Sequence, residues 1–106
     1  LSALAPPIAR TIFLTTQEAL ANVARHARAE QVTVEIWQEP EMAILCVEDD
    51  GVGFSVSQQS QAVGHGLANM RARAEELNGI FIIQSAPGEG TQICLRLPIL
   101  ASSTSA

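Results

Sequence analysis

The β-rich segments of this sequence come in pairs whose connections are too short for anything but a hairpin, and this limits the fold more than any other feature. Val32 to Gln38 and Met42 to Val47 are separated only by Glu39, Pro40 and Glu41, so the two runs pair antiparallel. Ile80 to Ser85 and Gln92 to Leu97 flank Pro87-Gly88-Glu89-Gly90, which predicts a second hairpin. Each hairpin is preceded by a helical period. Between Ile8 and Arg28 the residues Ile12, Phe13, Ala19, Leu20, Val23, Ala24 and Ala27 fall in one arc at about 100° per residue, the mark of an amphipathic helix. Leu67, Met70, Ala74 and Leu77 repeat that spacing, with Asn78-Gly79 as a left-handed stop, so a second helix is expected over 67 to 78. Helix, hairpin, loop, helix, hairpin is the order of an α+β fold, a two-layer sandwich with a mostly antiparallel sheet and helices on one face.

A chain of 106 residues with 47% hydrophobic content can bury a core as one domain without disulfides or a structural metal. Residues 1–7, ending in Pro6 and Pro7, read as a linker remnant, 8–100 as the folded domain and 101–106 as a frayed tail. The formal charge of −5 disfavours nucleic acid as a partner, because phosphate backbones need a broad basic surface. No apolar run approaches the roughly 20 residues of a membrane span, so no membrane contact is expected of this segment. Cys46 and Cys94 lie in apolar strand-like runs with no Cys or His at metal-ligand spacing. They are expected as buried free thiols, which fits a reducing cytosol.

Chemistry concentrates at four places. Glu18, Asn22 and His26 are four apart and rise as one polar stripe on the first helix, with Arg25 beside it. A carboxylate next to an amide oxygen suits hydrated Mg²⁺; the same Glu could polarise a water, and the stripe alone is also what a solvated helix face looks like. Asp49-Asp50-Gly51-Val52-Gly53-Phe54 follows directly on a strand. The glycines let a flat ligand come close, and the carboxylate can accept from an exocyclic amine; a tight acidic turn is the plainer alternative. Asp49 to Gly66 is poor in apolar residues and is expected as a mobile loop. It ends in Gly64-His65-Gly66-Leu67, where the start of a helix can hold phosphate. No Walker-type sequence occurs and lysine is absent. Gly88-Glu89-Gly90-Thr91 reads as a hairpin turn, with Thr91 opening the last strand.

In this order, Gln17-Glu18-Ala19-Leu20-Ala21-Asn22-Val23-Ala24-Arg25-His26-Ala27, Glu48-Asp49-Asp50-Gly51-Val52-Gly53-Phe54, Gly64-His65-Gly66-Leu67-Ala68-Asn69-Met70 and Gly90-Thr91 resemble the boxes of the GHKL ATPase superfamily. The chain is similar, over residues 8 to 98, to the nitrate-sensor and DesK-like group of bacterial sensor histidine kinases. The resemblance implies a Bergerat-type sandwich that binds ATP and Mg²⁺. It implies Asn22 as the metal ligand, and Glu18 as the catalytic candidate near the metal or its water. Asp49 would meet the adenine amino group, with Thr91 supporting it through a water and Gly51 and Gly53 shaping the pocket. Arg25 and His26 would lie toward the phosphates, with Gly64, His65, Gly66 and Leu67 along the phosphate side. Ser55 to Val63 would be a lid. Asp50 stands where the family often has Asn, and Arg25 where Lys is frequent.

The implied activity is that of a protein histidine kinase, passing the γ-phosphoryl group of ATP to a histidine on a separate dimerisation domain, for relay to a response regulator. Both histidines of this chain, His26 and His65, fall inside the nucleotide boxes, so the acceptor belongs to another domain. The segment is expected to be monomeric and cytoplasmic, within a membrane-anchored sensor. The alternatives are a stand-alone ATPase or an anti-sigma-factor-type serine kinase of the same superfamily, or a degenerate docking module. The short lid and the Met70 helix favour the histidine kinase, and intact Asn22 and Asp49 argue against the degenerate module.

Overall fold

A computed structural model of the chain describes residues 4–55 and 61–99, with the side chains of 61–64 left aside. The expected tail, 101–106, lies outside the described residues.

The two prolines open the first helix rather than precede it. Helix α1 runs Pro6–Asn22 with the prolines in its first positions, where a missing N–H costs nothing. It continues without a break into a π-helical turn, Val23–Ala27, closed by Arg28 in the left-handed region at φ 52°. Strands β1 (Val32–Glu39) and β2 (Met42–Asp49) form the first hairpin, helix α2 spans Gln61–Glu76, and β3 (Ile80–Ser85) and β4 (Thr91–Pro98) form the second. The left-handed stop is Asn78 at φ 59°, and the Gly79 and Asn78 amides donate back to the Ala74 and Glu75 carbonyls at 2.8 and 3.0 Å, which closes the helix end as a Schellman motif.

The four strands lie in the order β1-β2-β4-β3, every pair antiparallel. The two hairpins therefore join through β2 and β4, which occupy the centre. Both helices cover the face carrying Ala43, Leu45, Val47, Ile93, Leu95 and Leu97, and meet it with Ile8, Ile12, Ala19, Leu67, Met70 and Ala74. β1 lies outside this cover. Its Val32, Val34 and Ile36 stay 39–41% exposed although they share the helix-side face with Val47 and Leu45 through the strand register.

Three further sequence expectations need correction. The buried arc of α1 is narrower than the apolar one: Phe13 is 62% exposed and Leu20 38%, while Thr11 and Thr15 are buried in their place. Helix α2 starts at Gln61 rather than near 67, so the expected loop is shorter at that end. Last, Cys46 and Cys94 are not free thiols; they stand opposite each other on β2 and β4 and are joined as a disulfide with Cα atoms 4.2 Å apart.

Thr15 is fully buried and its Oγ1 has no hydrogen-bond partner. A buried hydroxyl without a partner loses its hydration for nothing. Thr15→Val keeps the branched shape and removes the oxygen, and is expected to raise stability by about 1 kcal/mol; a urea midpoint at or below that of the parent would contradict this.

Candidate nucleotide site

The site is built where the π-helical turn, the end of β2 and the turn between β3 and β4 converge. β2 ends in Asp49, which is 8% exposed, and its Oδ1 accepts from the Gly51 amide at 2.8 Å. The chain then turns against the helix: the Val52 amide donates to the Ala27 carbonyl at 2.7 Å. A Cβ on Gly51 would overlap the Ala27 carbonyl oxygen, so the sequence must be Gly there for the loop to approach. Gly53 adopts φ 64° and faces the Ala86 and Gly90 carbonyls, while the Gly88 amide donates to Val52 O at 2.6 Å. The Asp49–Gly53 segment is thus stitched on one side to the first helix and on the other to the β3–β4 turn.

Register places Thr91 directly across from Asp49. Thr91 Oγ1 shares a 2.8 Å hydrogen bond with Ser85 Oγ. Ser85 Oγ also donates to the Gly90 carbonyl at 2.9 Å and accepts from the Phe54 amide at 2.9 Å. Ser85 was not singled out from sequence; a serine ending an ordinary strand gives no signal, yet it ties the glycine loop to the last strand. A cleft of about 350 Å³ opens here, lined by Asp49, Ser85, Ala86, Glu89, Gly90 and Thr91 among others.

The adjacent Asp50 faces the other way. Its Oδ1 accepts from the Glu30 and Gln31 amides at 2.9 and 3.0 Å, and these donors, Gln31 foremost, hold its carboxyl below the usual carboxylate range. Asp50 anchors the approach to β1, so the position tolerates an acid where an amide would make the same contact.

The remaining predicted residues form a second group. Glu18 is half-buried on α1, and a Cβ on Gly66 of α2 would lie 2.6 Å from its Oε2. Gly66 is therefore buried against a carboxylate, which brings the first and third sequence boxes together. Asn22 is half-buried as the last residue of α1, and Arg25 and His26 are exposed in the π-helical turn. Gly64, His65, Gly66 and Leu67 do not stand at a helix start as expected: they lie one turn inside α2, with His65 exposed and Leu67 in the core. Of the expected lid, 56–60 lie outside the described residues and 61–63 belong to α2.

The profile of the histidine kinase-, DNA gyrase B- and HSP90-like ATPases matches residues 8–101. The chain belongs to this family. Among relatives, the sensor protein VraS of Staphylococcus haemolyticus is 39% identical over 88 residues, 83% of this chain and 25% of the relative. VraS of Staphylococcus aureus shows the same identity and coverage. The chain thus spans about a quarter of the length of these curated relatives. In fold it is similar to the histidine kinase domain of the Erythrobacter litoralis blue-light activated histidine kinase, with a TM-score of 0.73 at 21% identity, covering 92% of this chain and 48% of that one. The Acinetobacter baumannii histidine kinase AdeS gives a TM-score of 0.70 at 20% identity over 85% of this chain and 46% of its own. The family and the α+β sandwich expected from the four boxes are both found.

Proposed function

We propose that this domain, residues 8–100, binds ATP with Mg²⁺ and presents the γ-phosphoryl group to a histidine on a separate dimerisation domain of a sensor histidine kinase, for relay to a response regulator. One observation carries the reading: Asp49 is a buried carboxylate with one oxygen held by Gly51, and it lines a cleft together with its neighbours Gly90 and Thr91. Burying a carboxylate is costly unless it has work for its lone pairs, and an adenine amino group supplies a donor. Likeness to VraS over most of the chain supports the kinase rather than the hydrolase branch.

The residues fit the metal as well. Glu18 and Asn22 offer only oxygen to a cation, as Mg²⁺ prefers; they lie one turn apart on α1, both half-buried, and Gly66 gives the Glu18 carboxylate room to sit against α2. Held by these residues, Mg²⁺ would supply positive charge that offsets the charge of the phosphates. The chain's own share is positioning: Asp49 and Thr91 orient the base, Gly51 and Gly53 let it approach, and Arg25 and His26 face the phosphates. Glu18 would be a polar partner near the metal. Gly64, His65 and Gly66 act from within α2, along the phosphate side. The acceptor histidine comes from the partner domain, and the parent is a membrane-anchored sensor with this domain in the cytoplasm and monomeric by itself. No helix among the described residues is long and apolar enough to cross a membrane.

Calorimetric titration with a nonhydrolysable ATP analogue and with GTP, each with and without Mg²⁺, tests this. Adenine-selective, Mg²⁺-enhanced binding is expected; no binding at millimolar nucleotide rejects it. Two substitutions separate the roles. Asp49→Asn replaces an acceptor oxygen by a donor and is expected to lose about tenfold in affinity for ATP while GTP changes little; an unchanged preference would reject the adenine contact. Asn22→Ala is expected to weaken binding severalfold in Mg²⁺ and hardly at all in EDTA, and equal losses in both would remove Asn22 from the metal's ligands.

A further inference from the structure

We propose that Cys46 and Cys94 form a reversible thiol–disulfide site whose state is read at the nucleotide pocket. Of the three strands that line the pocket, β2 and β4, which carry Asp49 and Thr91, are the two that the disulfide joins. Cys46 pairs with Cys94 in the same register that sets Asp49 opposite Thr91, three residues farther along, or about 10 Å. The 4.2 Å Cα separation is that of a non-hydrogen-bonded antiparallel pair, where the backbones share no hydrogen bond at that rung and the sulfurs supply the link.

Access favours exchange. Leu45, Val47, Ile93 and Leu95 point under the helices, so the alternate residues Cys46 and Cys94 point to the face the helices leave open. Both are half-buried, and across that row their neighbours are Glu35 and Ile82, both exposed, so a small thiol can reach the sulfurs. In the reducing compartment proposed for the domain, disulfides are as a rule transient and redox-linked rather than structural. The step is thiol–disulfide exchange: a cysteine thiolate attacks oxidised glutathione and releases one glutathione thiolate. The second cysteine thiolate then attacks the mixed disulfide and releases the other. Two cysteine thiols and one oxidised glutathione become one protein disulfide and two reduced glutathiones, the two protons passing to the released thiolates.

The link pins β2 to β4 beside Asp49 and Thr91, so the oxidised domain has less ordering left to do when nucleotide binds. The coupling deepens the nucleotide reading and rests on it. The chain is equilibrated over a range of reduced-to-oxidised glutathione ratios, and free thiols are counted by alkylation and mass spectrometry. An ATP analogue is then titrated into the fully reduced and fully oxidised forms. The thiol count is expected to fall from two to none across the range, and the oxidised form to bind about fivefold more tightly, a modest coupling between two sites. A Cys46→Ala, Cys94→Ala double variant should give one affinity in both buffers. Thiols that stay free at every ratio, equal affinities for the two states, or a shift that the double variant reproduces would each overturn the proposal. If neither state binds nucleotide, the pocket reading fails by itself; amide exchange at Asp49 and Thr91, slower in the oxidised form, then decides the coupling.

Discussion

Gly51→Ala is expected to lower stability by about 3 kcal/mol and to weaken ATP-analogue binding at least tenfold. The added methyl would overlap the Ala27 carbonyl oxygen and lie 2.8 Å from the Ala27 carbonyl carbon and Cβ. Most of that obstacle is backbone, so no flexible side chain can give way. The loop must instead retreat, opening the 2.7 Å hydrogen bond from Val52 to Ala27 and the 2.8 Å bond from Gly51 to Asp49. Overpacking costs about 1–3 kcal/mol, and each lost hydrogen bond adds roughly 1 kcal/mol. Binding falls because Asp49 loses the donor that fixes its carboxylate. Urea unfolding and calorimetry on the same sample measure both effects. A variant with the parent's midpoint and affinity would show that the glycine loop is not braced on the first helix.

Leu95→Ala should be the more damaging to stability alone. Leu95 is fully buried on β4, between Leu45 on β2 and Phe81 on β3, at the centre of the helix-covered face. Truncation there removes transfer free energy and leaves a hole, costing about 2–5 kcal/mol. Domains of this size have only about 5–15 kcal/mol in all, so a melting temperature lower by at least about 10 °C is expected. A loss below about 1 kcal/mol would mean that the core around β4 can collapse onto the gap. Nucleotide affinity of the folded fraction should change little, which separates this variant from Gly51→Ala.

Much of this was legible from residue order. The hairpins announced themselves through Glu39-Pro40-Glu41 and Pro87-Gly88-Glu89-Gly90, and each strand end fell within two residues of its expected place. The order of strands in the sheet was not legible, because the chain does not say which edges of two hairpins will meet. From that follow the two facing pairs, Asp49 with Thr91 and Cys46 with Cys94, the second separated by 48 positions in sequence. The early start of α2 was missed for a different reason. Gly64 and Gly66 count against a helix by propensity, but Gly66 is where the Glu18 carboxylate needs room; the glycine there signals close packing rather than a break. Phe13 and Leu20 misled because periodicity marks an apolar face without saying how much of it a neighbour will cover.

The π-helical turn at Val23–Ala27 makes chain length a sensitive variable at that point, beside the identity of its charged residues. Such a turn holds one residue more than an α-helical one, so everything after it is rotated by about 100° relative to an unbroken α-helix. Ala27, the last residue of that turn, offers its carbonyl to Val52. Substitutions at the exposed Ala24 should pass almost unnoticed, whereas deleting it would restore a regular helix, swing the carbonyl away from the glycine loop and unseat the pocket with every other residue intact. Homologous sequences are therefore expected to vary at the position of Ala24 while carrying no single-residue gap within the turn.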